Sequence, residues 1–221
     1  MMTNLFSSFD PMSSNFNIQM NWLSSLIFIM VIYPVFWLSS SKSMFLINDV
    51  LSYVQKEFIP LFKSFKNLIF FITLFLFILV NNLFGLMPYT FTSTSHLAMS
   101  LAMALTLWVA FMLYGWVNNS KHMFAHLVPL GTPVILMPFM VLIETISNII
   151  RPITLSVRLA ANLTAGHLLL ILLGESMVGA KIIIIMSVTM AQFILLTLEA
   201  AVAIIQSYVF ATLSVLYASE V

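Results

Sequence analysis

An arginine in the middle of a long apolar stretch is the first residue that needs explaining. Arg158 lies well inside the segment 134–173, too far from either end for its side chain to reach water comfortably. A cation at that depth costs roughly 2.5–3.5 kcal/mol on the gentlest scale, and it normally faces a water-filled cavity or a counter-charge. Helical spacing gives it company. Glu144, Asn148, Arg151, Arg158 and Asn162 recur at steps of three, four and seven, so they share one face. Ala160, Ala161, Ala165 and Gly166 cluster nearby and would let another helix approach closely. A second stripe, Gln192, Glu199 and Gln206, runs along 182–217 at successive steps of seven. A hairpin folded about Val178 sets Arg158 level with Glu199, with Gln206 about one to two turns further inward. His167 falls nine residues after Arg158, on roughly the opposite face of the same apolar run.

Several readings of these residues stay open on spacing alone. Arg158 and Glu199 could be an ion pair locking the hairpin. Arg151 beside Pro152 could mark a turn at the membrane edge. His167 is either a buried packing histidine or a member of a proton relay. Asn81 and Asn82 read as helix-packing hydrogen bonds rather than an ion path, and His96, His122 and His126 as loop residues. No catalytic constellation survives inspection: phosphate loops, dinucleotide turns and nucleophile–base arrangements are absent, and no cofactor or metal site is expected. Arginine, glutamate, histidine and amides inside apolar helices suit a proton path rather than bond-making chemistry.

The elements that hold these residues follow from composition. Of the 221 residues 62% are hydrophobic and 7% charged, whereas a water-facing surface requires roughly 25% charged residues. The chain is therefore read as an all-α integral membrane protein forming one membrane domain over 1–221. The net charge of +1 and the lack of any basic run leave nothing for nucleic acid. With no cysteine, disulfides and thiol chemistry are excluded. The 16 Met and 20 Phe read as lipid-facing and packing residues. The first cation is Lys42, so nothing at the start looks like a cleavable signal.

A spanning helix needs roughly 20 mostly apolar residues. The expected spans are 22–38, 68–87, 97–117, 134–173 and 182–217, about five membrane helices, with an interfacial amphipathic helix over 42–67 interrupted at Pro60. Lys42, Lys56, Lys63, Lys66 and Lys121 fall on one side of this map, and Asp10 and the uncharged loop near Thr92 on the other. The positive-inside rule puts the N-terminus outside and, with one crossing for each long segment, the C-terminus inside. The last two segments are oddly long. About 40 residues make a helix near 60 Å against a hydrocarbon core near 30 Å, and sequence physics alone does not decide between two short spans and one strongly tilted helix.

The stretch Thr154-Leu-Ser-Val-Arg158-Leu-Ala-Ala-Asn162-Leu-Thr-Ala-Gly166-His167 resembles the signature of the subunit a family of F-type ATP synthases. HMFAHLVPLGTP at 122–133, MPFMVLIETISNIIRP at 137–152, IQSYVFATLSVLY at 205–217, the opening MMTNLFSSFDP and the loop PYTFTSTSHL resemble its mitochondrial form, arthropod versions most of all. The resemblance implies a stator subunit of a proton-translocating ATP synthase in the mitochondrial inner membrane, with the N-terminus in the intermembrane space and the C-terminus in the matrix. Its partners would be the ring of rotor c subunits, the peripheral stalk and other membrane subunits, with the nucleotide sites on other chains. The last two helices would lie steeply tilted against the c-ring and line two proton half-channels. Arg158 matches the essential arginine of that family, and Asn162 and Gln206 match polar positions beside it. His167 and Glu199 match the outer half-channel pair, Glu144 an acid of the inner one, and Arg151 a basic position of unassigned role. Many bacterial relatives carry an acid where His167 stands and a histidine where Glu199 stands, and a glycine often stands where Ala161 is. The resemblance also gives Gln206, rather than Glu199, the place next to Arg158.

Two other classes compete with this reading. A self-contained secondary transporter with Arg158 on an anionic substrate would carry pseudo-symmetric repeats with interrupted helices, and no such repeat is found. A purely structural subunit of a respiratory complex would use the buried charges only to lock helices.

Overall fold

The computed structural model describes residues 6, 9–12, 19–26, 42–61, 65–87, 90–128, 133 and 136–220. Among them the chain is helical, joined by turns, without strands. The helices are α1 (Lys42–Phe58), α2 (Phe65–Gly85), α3 (Leu97–Asn118), α4 (Ser120–His126), α5 (Met137–Ser176) and α6 (Ile182–Glu220). A short 3-10 helix covers Met20–Leu26, so only the start of the expected 22–38 span is described and its remainder, like Lys63, lies outside the described residues. Four described helices, α2, α3, α5 and α6, are long and apolar enough to cross a membrane.

Boundaries follow local chemistry. The expected amphipathic helix 42–67 is shorter than its pattern suggests: α1 stops at Phe58 and Pro60 sits in a 3-10 turn, Ile59–Leu61. Proline lacks the N–H that an α-helix needs and crowds the preceding carbonyl. Residues 65–67 therefore open α2, the first of the described helices long enough to span a membrane. The chain reaches α3 through the polar turn Ser93–Ser95 and an extended His96.

Arg151-Pro152 is not a break. α5 runs unbroken for 40 residues with Pro152 buried inside it, and Pro138 is tolerated in the first turn, where the N–H has no partner anyway. Inside the helix Pro152 leaves the Asn148 carbonyl without its usual donor. The chain turns after Ser176, where Gly179 takes φ +79°, a left-handed conformation natural to glycine.

Packing centres on α2. One buried cluster joins Val54 and Phe58 of α1, Leu68, Phe71 and Phe75 of α2, and Ala211 and Val215 of α6. A second joins Ile78 of α2, Ala104 of α3, Leu155 and Leu159 of α5, and Phe210 of α6. Lipid tails are as apolar as leucine, so burial alone does not drive such contacts; close backbone approach does. Ser100, Ser156, Ser207 and Ser214 are at most 2% exposed, and each hydroxyl donates to the carbonyl three residues earlier. They are small and internally satisfied, which is what a tight crossing needs.

Candidate functional site

Three of the contacts between the long helices α5 and α6 fix their register. Asn162 Nδ2 donates to Gln206 Oε1 at 3.1 Å. Gly166 lies against Glu199, and Gly174 faces Gln192. These pairs place the midpoint of the hairpin near Ile183 rather than Val178. The expected pairing of Arg158 with Glu199 is therefore corrected: Arg158 lies level with Tyr208 and Phe210, and Glu199 is about 13 Å further along the axis. The reason is that α6 does not fold back tightly. Ile182, Ile183, Met186 and Met190 are exposed, so its first turns project past the end of α5. Gln206, through Asn162, is the amide nearest the arginine's level.

Arg158 itself is exposed, as are Ala161, Asn162 and Ala165. They form a stripe with one charge, one amide and two methyl groups, open to a partner. Among the described residues Arg158 makes no ion pair, so an internal lock with Glu199 is not what the geometry builds. The carboxylate–guanidinium contact on this helix is between Glu144 and Arg151, at 3.5 Å with both side chains about a quarter exposed. Arg151 also lies over the Tyr217 ring, 5.3 Å from its centroid.

Glu199 is buried, 7% exposed. Among the described residues neither of its carboxylate oxygens has a hydrogen-bond partner. It fits because residue 166 is glycine: a Cβ there would lie 2.6 Å from both Cδ and Oε1 of Glu199. The next residue, His167, is half-buried with Nε2 likewise unpartnered among the described residues. Phe9 packs edge-on against its ring, centroids 6.4 Å apart. An acid and an imidazole thus flank one turn of α5, both short of partners, where water or an exchanging proton would be taken up.

His167 opens into a cavity of about 830 Å³ lined also by Asn21, Ser24, Thr90, Thr92 and Leu196. A second cavity, about 310 Å³, lies at the other end of α5 between α3, α4 and the end of α6, lined by Trp108, His126, Asn148, Arg151 and Tyr217 among others. Arg151 and His167 are sixteen residues apart, about 24 Å along the helix. Arg158 and the Asn162–Gln206 bond occupy the interval. Glu144 sits beside the second cavity through its bond to Arg151.

Sequence reasoning passed over some of these neighbours. Asn81 bonds within its own helix, to Phe77 O at 2.9 Å. Asn82 is fully buried and reaches α6 at Ala203 O, 3.4 Å, between the levels of Glu199 and Gln206. The packing role read from the sequence thus places it beside the site. His96 is stacked on Phe91 and tilted against Trp22, while His122 and His126 sit on α4. Nothing in the local pattern marks Phe9 or Trp108 as cavity walls.

Comparison with known proteins agrees over the whole chain. The sequence model of the family described as ATP synthase A chain matches residues 18–219. The chain is 58% identical to ATP synthase subunit a of Drosophila melanogaster, 57% to that of Drosophila simulans and 55% to that of Anopheles gambiae, in each case over 100% of both chains. With four apolar helices of spanning length among the described residues and this match from end to end, the chain belongs to the ATP synthase A chain family, as a mitochondrial-type, multi-pass subunit a of the membrane sector.

Proposed function

We propose that this chain is the stator half of a rotary proton path, offering two half-channels to carboxyl groups carried past it by a ring of c subunits. The observation that carries the reading is the pair of cavities at opposite ends of α5, with Arg158 and the Asn162–Gln206 bond between them. One continuous pore would short-circuit the membrane, whereas two offset inlets oblige a proton to cross on the rotor.

In this reading the larger cavity is the outer half-channel, open to the intermembrane space, and the Lys-bearing side is the matrix. A proton passes the polar wall at Thr90 and Thr92, meets His167 and Glu199, and protonates a rotor carboxylate. The neutral carboxyl can then turn into lipid, where an anion could not go. On its return it meets Arg158, whose fixed positive charge favours the ionised form and drives the proton off. The proton leaves through the inner half-channel past Asn148 and Glu144. Asn162 and Gln206 hold each other beside the arginine and keep that level of the groove narrow. The exposed stripe Arg158, Ala161, Asn162 and Ala165 lets the ring approach closely. Tilted helices explain the length of α5 and α6, because a helix near 60 Å fits a core near 30 Å only when strongly inclined.

The test is Arg158→Gln in the assembled complex, read as ATP-driven acidification of vesicles. Coupled pumping is expected to be lost, because the rotor carboxylate is no longer forced to ionise. Pumping at near-normal rates would reduce the arginine to a structural residue and overturn the proposal.

A further inference from the structure

Two of the hydrogen bonds that join side chains on different helices land on α6 only two residues apart. Gln206 is tied to Asn162 of α5 at 3.1 Å, and the Tyr208 hydroxyl donates to Glu57 Oε2 of α1 at 2.6 Å. Residues two apart on a helix point about 200° from each other. At this level α6 is therefore held on nearly opposite faces, by α5 on one and by the surface helix α1 on the other. It is also the level of Arg158.

We propose that Glu57 is a positioning residue, which through Tyr208 braces α6 against α1 and keeps the groove at Arg158 too narrow for protons to slip between the half-channels. The inference rests on the two-half-channel reading above. The bond is short, 2.6 Å from the hydroxyl to the carboxyl oxygen. It does not stand alone, since Val54 and Phe58 of α1 pack with Ala211 and Val215 of α6 within the next two turns. The brace has a mechanical reason. A ring turning against α5 and α6 pushes them sideways, and the first half of α6 is largely exposed, with Ile183, Met190 and Ile194 at least 66% open. The tie to a helix whose Lys56 and Tyr53 are exposed anchors α6 to the membrane interface rather than to another span. Glu57 carries no marker in the sequence that would link it to the site; only the fold brings it to a residue 151 positions away.

The test compares Glu57→Ala, Glu57→Gln and Tyr208→Phe in the assembled complex, with Arg158→Gln alongside. The readouts are passive proton leak through the membrane sector and protons pumped per ATP hydrolysed. Glu57→Ala and Tyr208→Phe are expected to raise the leak by roughly three- to tenfold, the range that one net hydrogen bond supports, and the double variant to be no worse than either alone. Glu57→Gln retains an acceptor for the tyrosine and is expected to stay close to the parent. Tyr208→Phe keeps the ring and removes one oxygen, so it carries the test if Glu57→Ala assembles poorly. Normal coupling in both Glu57→Ala and Tyr208→Phe overturns the brace, and so does Glu57→Gln leaking as much as Glu57→Ala, because then the charge and not the tie is what matters. Those results leave the half-channel reading standing if Arg158→Gln still abolishes pumping; unaltered pumping in Arg158→Gln would overturn that reading instead.

Discussion

The two ends of α5 lie beside the same kinds of group in opposite conditions. Toward its Met137 end Glu144 is paired with Arg151 at 3.5 Å and both are partly open. Toward its Ser176 end Glu199 of α6 is buried with both oxygens unpartnered among the described residues, and His167 beside it has an unpartnered nitrogen. A partly exposed ion pair is electrostatically comfortable and worth at most about 1 kcal/mol. A buried acid without partners is costly to keep, and proteins retain such groups where they exchange protons. Under the two-half-channel proposal, this difference assigns the controlled protonation to the His167–Glu199 end and proton exit to the Glu144–Arg151 end.

That contrast can be broken in order of expected effect. Glu199→Gln keeps the shape of the side chain and removes its acidity; ATP-driven pumping is expected to fall roughly 100-fold or more, the scale of a lost proton-transferring group. Activity within a few-fold of the parent would mean that Glu199 is only packed there. Gly166→Ala tests position rather than chemistry. The added methyl group would meet Glu199 at 2.6 Å, so the carboxylate must move, and pumping is expected to drop by roughly ten- to a hundredfold with the assembled complex still present. An alanine variant with unchanged pumping would show that the seat on Gly166 is irrelevant. Glu144→Gln is the smallest perturbation. Initial rates of proton release to the inner side are expected to slow only a few-fold, with no leak, because the paired acid is partly solvated already. Loss as deep as that of Glu199→Gln would erase the asymmetry between the ends.

Much of this arrangement is legible in the sequence, for reasons that name its limits. α2 and α3 declare themselves because their apolar runs match the thickness of a membrane and end at Gly85 and Asn118. The stripes on α5 and α6 follow from helical period, and the residue types on them already point to a proton path. The register between the stripes does not follow. A turn after Ser176 fixes where the chain reverses, but crossing helices touch where small residues permit, at Gly166 and Gly174. Pro152 misleads in the other direction, since the surrounding packing of Leu155 and Leu159 keeps α5 helical across it. The edge contact of Phe9 with His167 and the bond of Tyr208 to Glu57 link residues more than 150 positions apart, and no local pattern carries such information.

The most direct measurement exploits the absence of cysteine from the chain. Single cysteines at Leu170, in the wall of the larger cavity, and at Thr145, in the wall of the smaller one, can be exposed in the assembled complex to a membrane-impermeant thiol reagent from either side in turn. The two-half-channel account predicts that Leu170→Cys is modified only from the intermembrane-space side and Thr145→Cys only from the matrix side. Modification of either position from both sides, with Arg158 intact, would mean one continuous passage and would contradict the account at its centre.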